Sequence, residues 1–468
     1  MLFNSVEYFV FFSLVFAIYW SISKKVSGQN IFLLIVSYFF YACWDWRFLG
    51  LIIFSTLLNY SVAILIEKLE KHSKSLLIFG LIFNLGILFY YKYFNFFIES
   101  FLTLFSFFGS TNQFNTLEII LPIGISFYTF QSIAYLVDVY KKKVNSETNL
   151  ITFSVFIAFF PQLVAGPIER AQNLLAQLKQ KKIFEYKMAS DGMKLILLGL
   201  FEKVVIADNC AAIVNTIYQD YENQSGSNLM LAAVYFSFQI YGDFSGYSHI
   251  AIGSAKLLGI NLVNNFNYPY LAKNMADFWR RWHISFSNWL KEYIYYPLGG
   301  SKFGEFMMIR NLVIVFLLSG LWHGASVNFI IYGFIQAILY ITLIYYRKYV
   351  KDKLQFLKSD FLLLSILGTF TALTIARVFF RAESFAQAKS YLSILFSESL
   401  FTIPTISKGL FLLLVLMMLA EYFQRNRSHL FDLSFIKSVN VRYAIYLVLI
   451  FIVFYFKGES QKFIYFQF

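Results

Sequence analysis

Of the five histidines in this 468-residue chain, His323 alone has long apolar sequence on both sides: Ile309 to Leu318 before it and Phe329 to Tyr346 after it. It closes the stretch LLSGLWH and is followed by Gly324, with Gly320 one turn earlier. An ionisable side chain is costly in an apolar run, so this imidazole is a functional candidate by default; the plainer alternative is a neutral, hydrogen-bonded packing residue at a helix turn. Imidazole titrates near neutral pH, which suits it to taking a proton from a hydroxyl. A second constellation lies in DFWRRWHISFSNWLKEYIYYPLGG, residues 277 to 300. Trp279, Trp282, Phe286, Trp289, Tyr293 and Tyr296 recur there at three- and four-residue spacing, while Arg280, Arg281, Lys291 and Glu292 fall largely elsewhere. That pattern predicts an amphipathic helix in the cytoplasmic interface, with most of its aromatics acting as anchors.

His283 and the pair Arg280 and Arg281 add a basic, hydrogen-bonding surface that could hold a phosphorylated donor such as coenzyme A, with Trp279 beside it. Other polar residues are expected to be structural. Asp243 and Tyr247 read either as pore-lining residues or as part of a buried Asp-Ser-Tyr hydrogen-bond network, His249 as a helix-packing partner, and Asp138 as an interfacial charge pair. Arg377 and Arg381 read as extracytoplasmic head-group or partner contacts, and His72 and His429 as solvated. There is no G-x-S-x-G elbow, and His323 is followed by GASVN rather than by a fourth-place Asp, so neither a serine hydrolase nor a soluble H-x-x-x-x-D acyltransferase is indicated. Two cysteines, Cys43 and Cys210, are too few for a disulfide framework, and no His or carboxylate spacing predicts a metal site.

The elements that must position these residues are read from composition. At 59% hydrophobic and 14% charged, with a mean hydropathy of +0.61, the chain is expected to be a polytopic membrane protein and not a soluble globule. Its continuous apolar runs argue for helices over an alternating outer-membrane barrel. The expected fold is all-α, with about 11 transmembrane helices plus re-entrant and interfacial helices. Interrupted runs such as 31–43 and Ile151 to Ala165 are candidates for the re-entrant kind. We expect one transmembrane domain over 1–468, a cytoplasmic interfacial region at 262–305 and a tail at 457–468. The first apolar run, Phe9 to Trp20, reads as a retained span.

The net charge of +13 resides in short breaks: Lys24 and Lys25, Lys68 to Lys74, Lys141 to Lys143, Lys179 to Lys187, Arg347 to Lys358, and Arg425 to Arg442. Such a distribution is the positive-inside pattern, so membrane topology accounts for the charge and no nucleic-acid partner is expected. It puts these breaks in the cytoplasm and the tail, Lys457 to Phe468, outside.

FWRRWHISFSNWL and LSGLWHGA, with FYTFQSIAYLVDVY at 127–140, GPIER at 166–170 and YGDFSGYSHIAIG at 241–253, resemble the membrane-bound O-acyltransferase family. Within it, the likeness is to the bacterial polysaccharide branch. The resemblance implies a many-helix fold around a central pore, with His323 as the catalytic histidine in its narrow middle and His283 as the second histidine. It further implies an inner-membrane O-acetyltransferase. Acetyl-coenzyme A would be the donor substrate rather than a bound cofactor, membrane lipid would surround the chain, an extracytoplasmic serine esterase-like (SGNH-type) partner would receive the acetyl group, and a cell-wall polysaccharide would be the final acceptor. The tail FIYFQF, 463–468, resembles the terminal motif of the acetylating members and suggests Tyr465 as acyl carrier. Peptidoglycan is favoured as acceptor by the Lys-, Ile-, Phe- and Asn-rich, Pro-poor usage. Alginate O-acetylation, D-alanyl transfer to teichoic acid, and a transporter or flippase for a lipid-linked solute are the alternatives.

Overall fold

The computed structural model describes residues 1–22, 25–107, 117, 119–164, 166–350, 362–458, 461 and 463–464, with no side chain described over 103–107. The described residues are helical and form no strand. Five stretches are long and apolar enough to cross a membrane: Val26–Lys68, Glu70–Leu102, Glu305–His323, Val327–Tyr349 and Leu362–Arg381. Shorter apolar helices cover Val6–Ser21, Leu150–Leu163, Gly409–Gln424 and Val439–Tyr455. The protein is thus an all-α, multi-pass membrane protein. Its contacts group into two compact units, Met1–Gly192 with Ala251–Val263, and Met193–Ile250 with Asn264–Phe468.

The first unit holds α1 (Val6–Ser21), α2 (Val26–Asp45), α3 (Leu49–Lys68), α4 (Ser73–Leu88) and α5 (Ile125–Tyr140). Asn59 of α3 and Asn84 of α4 exchange amide hydrogen bonds at 3.2 and 2.7 Å, the kind of interhelical link that survives where apolar packing has no preference between lipid and protein. Helix α5 is buried around nearly its whole circumference, its polar residues Ser126, Thr129, Gln131, Ser132 and Asp138 included. The run 151–164 folds as the short buried helices Leu150–Ala158 and Phe160–Leu163. Beyond it, the carboxylate of Glu169 is fully buried and accepts from the Val263 N–H and the Asn173 amide, both at 2.7 Å. Burial pushes its pKa up to about 7, against the hydrogen bonds and Arg170, which pull it down.

The second unit holds most of α6 (Gly226–Leu257), then α7 (Met275–Trp279), α8 (Ile284–Leu290), α9 (Glu305–His323), α10 (Val327–Tyr349), α11 (Leu362–Arg381) and α12 (Gly409–Gln424). Helices α9 and α10 make a tight hairpin because Gly320 and Gly333 face each other: a Cβ on Gly333 would overlap the Phe316 carbonyl, and one on Gly320 the Phe329 carbonyl. Close approach at paired small residues is a common way for membrane helices to gain contact area. An ion pair between Lys348 and Glu305 closes the open end of the hairpin. At the other end the Asn328 amide donates to the Ala382 carbonyl at 2.7 Å and fixes the end of α11 there.

Candidate active site

His323 is the last residue of the 19-residue helix α9, a rise of about 27 Å from its first residue at 1.5 Å per residue. It therefore stands at the tip of the hairpin and not midway along a span. The plain helix-turn environment expected from its flanking glycines is present: Gly324 adopts extended backbone, and the Phe329 ring occupies the space a Cβ on Gly324 would need. The imidazole is 4% exposed and walled by the rings of Trp322, Phe380, Tyr332 and Phe286, at centroid distances of 4.9, 5.1, 6.2 and 6.3 Å.

The single amphipathic helix expected over 277–300 is broken. Helix α7 stops at Trp279, α8 begins at Ile284, and His283 between them is left-handed, with φ 41° and ψ 56°. The Asn-rich stretch before it holds this break. Asn274 caps α7 by accepting from the Asp277 N–H at 3.0 Å. Asn267 and Arg281 are bonded through their main chains, and the Asn265 carbonyl accepts from the Ile284 N–H at 2.9 Å. The Asn265 side chain accepts from the Ser285 hydroxyl at 2.6 Å. Left-handed backbone is costly for most side chains but is adopted several-fold more often by Asn, Asp and His. The break turns His283 inward, where it is fully buried against Phe244 at 4.6 Å, Phe286 at 4.9 Å and Trp322 at 5.5 Å. Burial first, and the neighbouring His323 second, push its pKa well below the ordinary imidazole value. Two histidines 40 positions apart in sequence thus share Phe286 and Trp322. Trp282, Phe286 and Trp289 are buried as well, so these aromatics are core and not the expected surface anchors.

A cavity of about 740 Å³ runs along the inner face of α9, from Met308 to Ser319, one turn short of His323. Its walls include Trp279, Arg280 and Lys291, and on α10 Tyr340 and Arg347. The volume lies within the usual range for small-molecule and cofactor sites. Of the residues expected at a donor site, Trp279 and Arg280 line it. Arg281 does not; its guanidinium pairs with Asp277 at 3.0 Å. Lys291 and Arg347 extend the basic lining, and sequence reasoning missed them in this role.

Asp243 lies in a different network from the expected Asp-Ser-Tyr one. Lys203, 1% exposed, lies 2.7 Å from both Asp208 and Asp243 and donates to the Gln461 carbonyl at 3.0 Å. Asp243 accepts the Ile464 N–H at 2.6 Å. Phe463 is buried on Tyr247, with ring centroids 4.4 Å apart, and lies 6.3 Å from Phe244, the ring that also faces His283. The tail is docked as far as Ile464; Tyr465, Phe466 and Phe468 lie outside the described residues.

Three further expectations need correction or refinement. Arg377, expected in contact with head groups, is 1% exposed, because it lies on the inner face of α11 under Tyr270, Phe278 and Trp282. His429, expected to be solvated, is buried. His249 is a packing partner as expected, paired with Glu202 at 2.7 Å. A usable sequence signal existed for both Lys203 and Arg377: each is a charge inside an apolar run, the criterion that singled out His323.

A family profile described as the membrane-bound O-acyltransferase family matches residues 143–362. The chain is 34% identical to a peptidoglycan O-acetyltransferase of Helicobacter pylori over 95% of its own length and 93% of that protein's. It is 39% identical to the probable alginate O-acetylase AlgI of Pseudomonas aeruginosa over 71% of this chain and 64% of that one. It is 29% identical to the teichoic acid D-alanyltransferase of Bacillus subtilis over 51% of this chain and 62% of that one. With a relative this similar along nearly all of both chains, and with the two histidines converging in one helical unit, the chain belongs to the membrane-bound O-acyltransferase family and is a multi-pass membrane acyltransferase.

Proposed function

We propose that this acyltransferase takes acetyl groups from cytoplasmic acetyl-coenzyme A and passes them across the inner membrane for O-acetylation of a cell-wall polysaccharide. The observation that carries this reading is the cavity that follows α9 from Arg347 and Met308 to Ser319, one turn before His323. Arg347 adjoins the basic segment assigned to the cytoplasm, so the donor would enter there with its phosphates against Arg280, Lys291 and Arg347 and its thioester toward His323. His323 would take the proton of the acceptor hydroxyl, the hydroxyl oxygen would attack the thioester carbonyl, and the coenzyme A thiolate would leave with that proton. His283, held neutral beside the same rings, would keep the site free of a second positive charge.

Tyr465 is the proposed first acceptor. The docked residues Phe463 and Ile464 lead the chain to it from α6, whose Phe244 touches His283. A phenol of pKa about 10 and a thiol of about 8.5 make aryl ester and thioester comparable leaving groups. Onward transfer to the serine of an extracytoplasmic esterase-like partner, and from it to a sugar hydroxyl, would then run downhill. Peptidoglycan is the favoured final acceptor, on the strength of the near full-length similarity to the Helicobacter pylori protein.

The test uses detergent-purified protein and acetyl-coenzyme A labelled in the acetyl group. Wild type should release coenzyme A and become labelled, Tyr465→Phe should lose the label, and His323→Ala should lose both signals at equal protein levels. Undiminished coenzyme A release by His323→Ala would remove the catalytic assignment. A retained label in Tyr465→Phe would remove the relay and leave direct transfer.

A further inference from the structure

Arg377 is a buried cation to which no described residue supplies a counter-ion. Its side chain is 1% exposed, and neither Nη1 nor Nη2 makes a well-formed hydrogen bond to a described residue. Its surroundings are aromatic: the guanidinium carbon lies 5.0 Å from the centre of the Tyr270 ring, 5.1 Å from Trp282 and 5.6 Å from Phe278. Ring faces attract the cation, but they do not accept its in-plane N–H donors, and a guanidinium does not escape burial by losing its proton. Among the described residues the Tyr332 hydroxyl interacts with the guanidinium, a neutral partner that leaves its charge unmatched. Donors arranged in this way call for an oxygen ligand.

Position narrows the ligand. Tyr332 sets its ring 6.2 Å from the His323 imidazole, and Phe380, one turn beyond Arg377 on α11, lies 5.1 Å from it. Arg377 and His323 therefore share walls. The donor's phosphates have basic partners along the other cavity, and Arg377 does not line that one. At the reacting centre His323 engages the acceptor hydroxyl, and the oxygen left for a second partner sharing its walls is the carbonyl oxygen of the acyl group.

We propose that Arg377 binds the acyl group in transit: its guanidinium donates to the acyl carbonyl oxygen, and its fixed charge restricts the site to acyl groups without an ammonium. This rests on the acyl-transfer reading above. As the acceptor oxygen bonds to the carbonyl carbon, the carbonyl π pair moves onto oxygen and is held by the guanidinium. When the pair returns, the carbon–sulfur bond breaks and the thiolate takes the proton from the His323 imidazolium. An aminoacyl thioester such as a β-alanyl or D-alanyl donor would bring a second cation beside Arg377 in low dielectric, where repulsion is strong.

The experiment compares acetyl-coenzyme A with β-alanyl-coenzyme A on detergent-purified wild type, Arg377→Gln and Arg377→Lys, with thermal unfolding followed in parallel. Wild type should prefer acetyl by roughly 100-fold or more in kcat/KM. Arg377→Gln should lose about 100-fold in kcat for acetyl, with KM within about threefold, and should discriminate by less than about tenfold. Its thermal midpoint should equal or exceed that of wild type, because an uncompensated charge has been removed. Arg377→Lys keeps the charge without the fork, so it should retain the discrimination while kcat falls. Unchanged kcat in Arg377→Gln, or a lower midpoint with discrimination intact, would overturn the proposal and make Arg377 a packing residue. If Arg377→Gln does not fold, loss of discrimination in Arg377→Lys does the same. A wild type that turns over neither donor would sink the acyl-transfer reading itself, and this proposal with it.

Discussion

Lys203 and Arg377 are both 1% exposed in the same helical unit, yet they solve opposite problems. Lys203 has two carboxylates at 2.7 Å and the Gln461 carbonyl at 3.0 Å. Asp243 spends its other oxygen on the Ile464 N–H. Arg377 has ring faces and a phenol. A buried charge that is matched belongs to the architecture, whereas one that is unmatched costs stability and persists where a bound group compensates it. The comparison therefore separates a socket that holds the tail from a site that waits for substrate. Glu169 in the other unit shows a third solution, in which burial favours the protonated, uncharged form.

The largest effect expected on this view is that of Lys203→Met. It leaves Asp208 and Asp243 as facing carboxylates in an apolar interior, and breaking a buried pair in this way costs about 3–5 kcal/mol. Thermal unfolding in detergent should show the loss, and adding Asp208→Asn and Asp243→Asn should recover most of it. The tail should become accessible to carboxypeptidase in the single variant, since Gln461 loses its donor. If Lys203→Met unfolds at the wild-type temperature with the tail still protected, the socket is not structural and the contrast with Arg377 fails.

Glu169 sharpens the comparison through pH. Its folded pKa is raised to about 7 by burial, above the ordinary glutamate value of about 4.3. The folded state therefore binds the proton more tightly than the unfolded state does. Stability from this source is fully present below the unfolded value and is lost as pH rises through the folded one. Wild type should lose about 2 kcal/mol between pH 5 and pH 8 relative to Glu169→Gln, which cannot ionise. Parallel stability profiles for the two proteins would mean that Glu169 is charged in the fold at both pH values.

Much of this was legible in the sequence. Apolar runs and basic breaks gave the all-α membrane class, and the lone histidine in an apolar run marked the site. What periodicity could not reveal was the break at His283: the aromatic spacing over 277–300 is continuous, and the chain departs from it because Asn265 and Asn267, distant along the sequence from the residues they hold, bond across the gap. The socket was hidden for a similar reason. Lys203, Asp208, Asp243 and Ile464 come together only once helices far apart in sequence are packed, and Asp243 alone looks like any polar residue in a helix interface. Arg377 was misplaced because its position near the end of an apolar run suits a head-group contact as well as an inward-facing one, and which face of α11 it occupies is decided by Tyr270 and Trp282, residues about 100 positions away.

The smallest effect tests whether adjacent arginines, alike in sequence, differ as the structure divides them. Arg280 is exposed and lines the cavity beside α9; its Nε donates to the Ala276 carbonyl at 3.1 Å, which leaves the two Nη groups to meet a phosphate. Arg281 is half-buried, with its guanidinium on Asp277 at 3.0 Å and on the Asn267 carbonyl at 3.2 Å, so its donors are committed to the break around His283. A solvent-exposed charge contact to phosphate is worth about 1 kcal/mol or less. Arg280→Gln should therefore raise KM for acetyl-coenzyme A by roughly threefold to fivefold with kcat unchanged. The effect should shrink as salt is raised from 50 to about 500 mM, because screening weakens the contact that was removed. Arg281→Gln should leave KM within about twofold at every salt concentration; its cost should appear instead as a small fall in thermal stability, through Asp277 losing its partner. A reversed pattern, with Arg281 controlling KM and Arg280 silent, would place the donor's phosphates on the other side of α7 and detach the cavity from the donor path.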